Sequence, residues 1–307
     1  FEACRYNGHV IPDTFVRTLE PYVIYKKVCP EVKIGLGIPR NPVKIIIDKD
    51  KKKLFQPESG NDLTRKINKF SKKFISSLKS EVDGFILKSR SPSCGLKDAK
   101  IYESKGTGSV VGKTSGFFAT NILESHPGLA IEDEGRLRNF NIRDHFLSKL
   151  FTLTKFRHAK NKNSINELIR FHTSNKFLFM AYNQKELRNM GKLLGDYNNR
   201  NFQVLKDNYE QNLHKCLSKM PRKTSFINAL MHALGYFSKK LHTKEKAFFL
   251  EQLEDYRNNR IPISALLSVL RVWSVKYEEK YLLQQTFFEP FPKDLMDVSD
   301  SGKGRTL

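Results

Sequence analysis

Gly84-Phe85-Ile86-Leu87-Lys88-Ser89-Arg90-Ser91-Pro92-Ser93-Cys94-Gly95 is the stretch from which this chain is best read. A short apolar run feeds a Ser/Pro/Gly turn that ends in a cysteine. Such a run reads as a buried strand, and the turn places side chains and free backbone N–H groups at its C-terminal end, where open α/β sheets bind ligands. A second stretch, Val28-Cys29-Pro30-Glu31, repeats the form with a carboxylate added. Two cysteines at two strand ends can meet in space.

Outward from these stretches, Tyr22 to Val28 and Val43 to Ile47 read as strands, being rich in β-branched and aromatic residues. Asp62 can cap a helix in which Ile67, Phe70, Phe74, Ile75 and Leu78 recur at helical spacing. Alternating strands and helices favour a mostly parallel sheet. The charged run Asp48 to Lys53 reads as an exposed loop. Gly106-Thr107-Gly108 and Gly112-Lys113-Thr114 suggest a phosphate loop, but the glycines are one residue too far apart for GxxxxGK[ST], so a flexible loop leading into a helix from Gly116 to Leu123 is expected. Glu132-Asp133-Glu134-Gly135-Arg136-Leu137 reads as an acidic turn, solvated first and fixing Arg136 or Arg143 second.

From about residue 150 the pattern becomes helical throughout. Ile165 to Met180, Leu187 to Leu194, Phe226 to Tyr236, Glu245 to Tyr256 and Ile263 to Tyr277 carry it, with Pro262 at a helix start. The expected fold is therefore an α/β first domain over 1–150, with a mostly parallel, Rossmann-like sheet, followed by an all-α domain over 151–307.

The 307 residues carry 54 Lys+Arg against 32 Asp+Glu, a net charge of +22. The excess is +10 in residues 1–150 (27 minus 17) and +12 in the rest (27 minus 15), so both halves attract polyanions. A lysine-rich surface from a biased genome explains the same count. No apolar run approaches the ~20 residues of a membrane span, and no membrane partner is expected. Four cysteines, at 4, 29, 94 and 216, lack the density and spacing of a disulfide framework, so no disulfide partner and a reducing, cytoplasmic setting are expected.

Cys29 and Cys94 are weighed as core filler, nucleophile or metal ligand. His9, His126 and His145 sit in no motif with either of them, which disfavours a Cys/His hydrolase. Distant cysteines on strand-end loops suit an iron-sulfur cluster. Spacing alone ranks buried structural cysteine first.

Longer motifs change that ranking. CPE-x-x-x-GLG-x-PR from Cys29, KSRSPSCG from Lys88 and GFFATNILESHPGLAIEDEGRLRN from Gly116 resemble the thiouracil desulfidase (TudS-type) family across residues 1 to about 145. FHTSNKFLFMAYNQKELRNMGKLL from Phe171, NALMHALGYFSKKL from Asn228 and QQTFFEPFPKDL from Gln284 resemble the YbgA-type helical domain, an arrangement similar to the tRNA 4-thiouridine desulfidases (RudS-type).

The resemblance implies an enzyme with a 4Fe-4S cofactor held by three cysteines, with one iron left for the substrate's sulfur. Cys29 and Cys94 match two of the ligands. The family's third cysteine lies in an S-x-C-L segment that would precede Phe1, so an N-terminally truncated desulfidase domain is expected, and Cys4, which follows that position, is the remaining third candidate. Glu31 is placed to activate water, and Ser91 or Ser93 to hydrogen-bond the base or relay a proton. For Glu31 the plain alternative is a surface ion pair with Arg40, and for the serines a turn that satisfies its own backbone. His172, Lys176, Met180 and His232 match recurring positions of the helical family, whereas Tyr182 stands where that family has His. The expected partner is tRNA or a thiolated nucleobase. The alternatives are a desulfidase of free thiouracil and a non-catalytic RNA-binding protein with structural cysteines. Oligomeric state is not legible.

Overall fold

The computed structural model describes residues 4–10, 12–78, 82–103, 108–197 and 201–296. Two compact units divide between Phe146 and Leu147, and the segment from Asp294 belongs with the first.

The first unit opens with α1 (Thr14–Leu19), capped by Asp13, whose Oδ1 accepts from the Val16 N–H. Pro21 follows in a short 3₁₀ turn. Residues 23–29 then carry no regular secondary structure and pair with no strand among the described residues, which corrects the strand expected over Tyr22 to Val28. Ile24 points into solvent and Tyr25 donates to Val16 O at 2.9 Å. β-branched composition makes a strand only where an edge is available to complete its hydrogen bonds.

The main sheet holds β1 (Lys44–Asp48), β2 (Lys51–Gln56), β3 (Asn61–Asp62), then, after α2 (Thr64–Ser77) and β4 (Gly84–Leu87), β5 (Ala99–Glu103) and β6 (Val110–Thr114). Its order is β3-β2-β1-β5-β6, and β4 pairs apart from it, in parallel, with β7 (Ala130–Asp133). The α/β architecture stands, but the sheet is mixed: β1–β5 is parallel, while β1–β2, β2–β3 and β5–β6 are antiparallel. The reason lies in the charged run expected as a loop. Lys49 and Asp50 have φ of 48° and 60°, the double left-handed turn that closes a two-residue hairpin and reverses the chain from β1 into β2. Antiparallel β6 likewise occupies part of the glycine-containing stretch expected as a loop; residues 104–107 of that stretch lie outside the described residues.

The α2 helix begins as its spacing requires. Asp62 Oδ1 accepts from Thr64 N at 2.9 Å, and Ile67 and Ile75 are buried. Phe70 and Phe74 pack on Phe118 of α3 (Phe117–Ser125) at ring separations of 6.3 and 5.8 Å. Val28, Cys94, Leu87 and Leu96 join this cluster, so both cysteine loops rest on the α2–α3 core. α4 (Phe140–Asn161) runs across the division between the units.

The second unit is helical: α5 (Ile165–Ser174), α6 (Lys176–Tyr182), α7 (Gln184–Gly195), α8 (Phe202–Cys216), α9 (Lys223–Gly235), α10 (Thr243–Arg257), α11 (Ile263–Lys276) and α12 (Lys280–Leu283). Asn183 and Asn201 cap α7 and α8 with their side chains, and Pro262 precedes α11 as its cap. Tyr209, Phe156, Phe171 and Phe179 form an aromatic centre. No described helix is long and apolar enough to cross a membrane.

Candidate functional site

Glu31 is the hub of the first unit's polar interior. Arg40 Nε and Nη2 both donate to Glu31 Oε2, at 2.9 and 2.7 Å, and Ser93 Oγ donates to Oε1 at 2.8 Å. The ion pair with Arg40 exists, but it is buried: the side chains are 5% and 11% exposed. Ser93 is completely buried. A buried pair that also accepts from a hydroxyl has its charge compensated and its geometry held.

The cysteines gather around this pair. Arg40 Nη2 also donates to Cys4 O at 3.0 Å and reaches Cys29 Sγ at 3.8 Å, while the Cys29 thiol points at Cys4 O. Cys4, Cys29 and Cys94 are free and half-buried. Burial pushes the Cys94 thiol up, and negative charge on Glu31, Cys29 and Cys4 adds to the effect, against a hydrogen bond from Ser91. Burial likewise raises Cys29, opposed by the Val32 N–H and by Arg40. Cys94 feels charge at both Cys29 and Cys4, and Cys29 feels charge at Cys4, which puts the three thiols in one locale. Cys216, the fourth, is buried in the helical unit with its thiol toward Phe179 O and Asn183 O.

The turn itself is built to hold Ser93 and Cys94 still. Ser91 Oγ accepts from Ser93 N and Cys94 N at 3.2 and 3.1 Å, a turn satisfying its own backbone, as one reading of that serine expects. Ser93 O accepts from Phe118 N and Ala119 N at the start of α3. Gly116 allows that approach, since a Cβ there would stand 2.4 Å from the Ser93 carbonyl carbon.

A second polar group lies where the sequence reads as an acidic turn, solvated first and fixing an arginine second. Leu87 and Asp133 face each other at the C-terminal ends of parallel β4 and β7. Just beyond, Glu134 Oε2 accepts from Ser89 N and Oε1 from Ser89 Oγ, each at 2.8 Å, and Lys88 pairs with the same carboxylate. Asp133 and Glu134 are buried, which corrects the solvated reading of Glu132 to Leu137. The second reading of that turn holds for Arg136: Glu132 Oε2 accepts from its Nε at 2.8 Å. Burial raises Asp133 to about 6, with Glu134, Asp98 and Glu132 adding to it against the Arg136 N–H. Burial pushes Glu134 up, but the Lys88 charge and the hydrogen bonds from Lys88 and Ser89 together hold it below the usual carboxylate range. Lys88, Ser89, Asp133 and Glu134 were missed as a group; the signal was two parallel strand ends each followed by charge.

Residues 1–134 match the family model described as 2-thiouracil desulfurase. Two segments of the chain match two family models. Residues 176–292 match a model described as a protein of unknown function, DUF1722. The uncharacterized protein YbgA of Escherichia coli (strain K12) is 26% identical over 161 residues, covering 52% of this chain and 95% of that protein. No solved structure matches significantly. The desulfurase segment contains Cys29, Glu31, Arg40, Ser91, Ser93 and Cys94, and it ends on Glu134.

Among the described residues no three His, Cys, Asp or Glu side chains are grouped tightly enough for a single metal ion. A cluster of several irons spreads its thiolate ligands wider than one ion does, and three soft sulfur donors in one locale are a donor set of that kind.

Proposed function

We propose that the chain is a non-redox desulfidase that exchanges the sulfur of a thiolated uracil for oxygen, with 4-thiouridine in tRNA as substrate and uridine and sulfide as products. The observation that carries this reading is Glu31, held by Arg40 and Ser93 among three cysteines inside the segment that matches the desulfurase family. In the proposal, Cys29, Cys94 and Cys4 hold a 4Fe-4S cluster; when bound, it supplies a Lewis-acidic iron for the substrate's sulfur.

The chain's own residues do the rest. Glu31 keeps some exposure whereas Ser93 has none, so Glu31 takes the proton of the attacking water and Ser93 holds its other oxygen. Arg40 fixes the carboxylate's direction. Water adds to the thiocarbonyl carbon, a C–O bond forms, the C–S bond breaks and sulfide leaves; no electrons are exchanged. Ser91 holds the Cys94 loop in place through the Ser93 and Cys94 N–H groups.

The substrate's size is argued from charge: a +22 chain, basic in both halves, favours a polyanion over a free base. On this reading residues 1–150 carry the chemistry and residues 151–307 meet the RNA, in the reducing cytoplasm where free cysteines persist. The family description favours a second reading, free 2-thiouracil as substrate.

The test is anaerobic reconstitution with iron and sulfide, followed by loss of thio absorbance from thiolated tRNA and from free 2-thiouracil. Turnover of tRNA that free base does not match supports the first reading. A colourless protein that binds tRNA and leaves its absorbance intact overturns both, in favour of RNA binding alone.

A further inference from the structure

The helical unit has a cleft of its own. An open hollow of about 340 Å³ lies among α5, α6 and α7, lined by His172, Lys176, Met180, Gln184, Leu187, Arg188 and Gly191. That volume falls within the range of small-ligand sites. None of the residues that line it is acidic. Met180 and Leu187 are buried and form an apolar wall, while Lys176 and Arg188 are exposed at the rim. Neither cation forms an ion pair among the described residues.

The histidine at the base has a defined orientation. Tyr209 of α8 is fully buried, and the partner of its hydroxyl is His172 Nδ1, at 3.0 Å. Burial keeps Tyr209 a phenol, and burial with Lys176 nearby lowers His172 to about 4, so both are neutral near pH 7. A buried phenol must place its one proton on an acceptor, and here that acceptor is Nδ1. The imidazole hydrogen is therefore on Nε2. Nε2 faces α7 at Gly191, where a Cβ would stand 3.6 Å away, and the missing side chain leaves that N–H open. A tilted contact of the His172 ring with Phe179 at 6.2 Å and an edge contact with Tyr209 at 6.0 Å hold it in that direction.

Two unpaired cations, one oriented neutral N–H and the Gln184 amide, with no carboxylate and an apolar wall, make a pocket dominated by donors. We infer that this cleft binds a phosphate monoester carrying a flat, weakly polar body, of the size of a nucleoside monophosphate. The phosphate lies between Lys176 and Arg188 and accepts from His172 Nε2; the body rests on Met180 and Leu187. The site is independent of the cysteine site and does not rest on the desulfidase reading.

The probe is uridine 5′-monophosphate, titrated calorimetrically into the full chain, with uridine and inorganic phosphate as controls. One site with a Kd of about 0.1 mM or tighter is expected, with inorganic phosphate weaker and uridine silent. Arg188→Gln and Lys176→Gln, both at exposed positions, each weaken binding about tenfold. Gly191→Leu fills the cleft and abolishes it. The His172 Nε2–H resonance shifts downfield on binding in the parent protein. The inference is overturned by no saturation below about 10 mM, by uridine binding as well as its monophosphate, or by parent-like affinity in Arg188→Gln with Lys176→Gln combined. A 5′-phosphorylated oligonucleotide that competes at the same site identifies RNA ends as a source of the phosphate; free nucleotide alone competing identifies the small ester.

Discussion

Glu31 shows how one side chain's surroundings change its chemistry. On the surface, an Arg–Glu pair contributes little. Buried, with Ser93 donating to the free oxygen, the same pair fixes the carboxylate's position, as the proposed activation of water requires. Glu31→Gln is expected to lower sulfide release by about 100-fold or more while the protein keeps its fold and its iron content, read by a sulfide assay beside circular dichroism. Ser93→Ala, which removes the hydroxyl that holds Oε1, is expected to lower turnover less than Glu31→Gln does. Equal activity of Glu31→Gln and the parent removes Glu31 from the mechanism.

Asp133 carries a pH dependence of its own. Its folded pKa of about 6 lies above the ordinary 3.8, so the folded state favours the protonated acid. The stability this contributes is fully present below about pH 4 and is lost as pH rises toward 6. A shift of that size corresponds to roughly 3 kcal/mol. Asp133→Asn, which keeps an oxygen for the Arg136 N–H, is therefore expected to raise Tm at pH 7.5 and to leave it unchanged at pH 4; equal Tm shifts at both pH values rule the linkage out.

At the level of elements, two short turns decide how the site is built. The Lys49-Asp50 reversal holds two ordinary residues in left-handed geometry, at a cost of about 1 kcal/mol or more each. Replacing the pair with Asn-Gly is expected to raise the denaturation midpoint by the equivalent of about 1 kcal/mol without altering activity. The meeting of α3 with the Ser93-Cys94 peptide is the tighter constraint. In Gly116→Ala the new methyl collides with the Ser93 carbonyl, so α3 or the turn has to move. A loss of about 1–3 kcal/mol is expected, together with reduced iron retention, both measured on the same preparation.

For the whole molecule, charge is the property that acts at a distance. Because both halves are basic, affinity for tRNA is expected to fall steeply and linearly in log Kd against log salt, with a shallower slope for variants that lose lysines from either half. A flat salt dependence in a binding assay from 50 to 200 mM salt contradicts a polyanion partner.

Local pattern was sufficient for a good part of this protein. The spacing of Ile67, Phe70, Phe74 and Ile75 specifies α2, the apolar run before Lys88 specifies β4, and the helical periodicity of the second half specifies its helices, because these depend on neighbours within a few residues. The motifs around Cys29 and Cys94 likewise mark the desulfurase segment without any coordinates. Tertiary structure alone decided what depends on partners far apart in the chain. Residues 23–29 have strand composition but no edge to pair with, and the lysine run after Asp48 turns back as a hairpin. Glu31 meets Ser93 across 62 positions, and Glu134 meets Ser89 across 45, so that a carboxylate with a surface ion pair as its plain alternative and one read first as solvated both become buried and paired. Burial and pairing are properties of a neighbourhood in space, and a single residue's chemistry does not contain them.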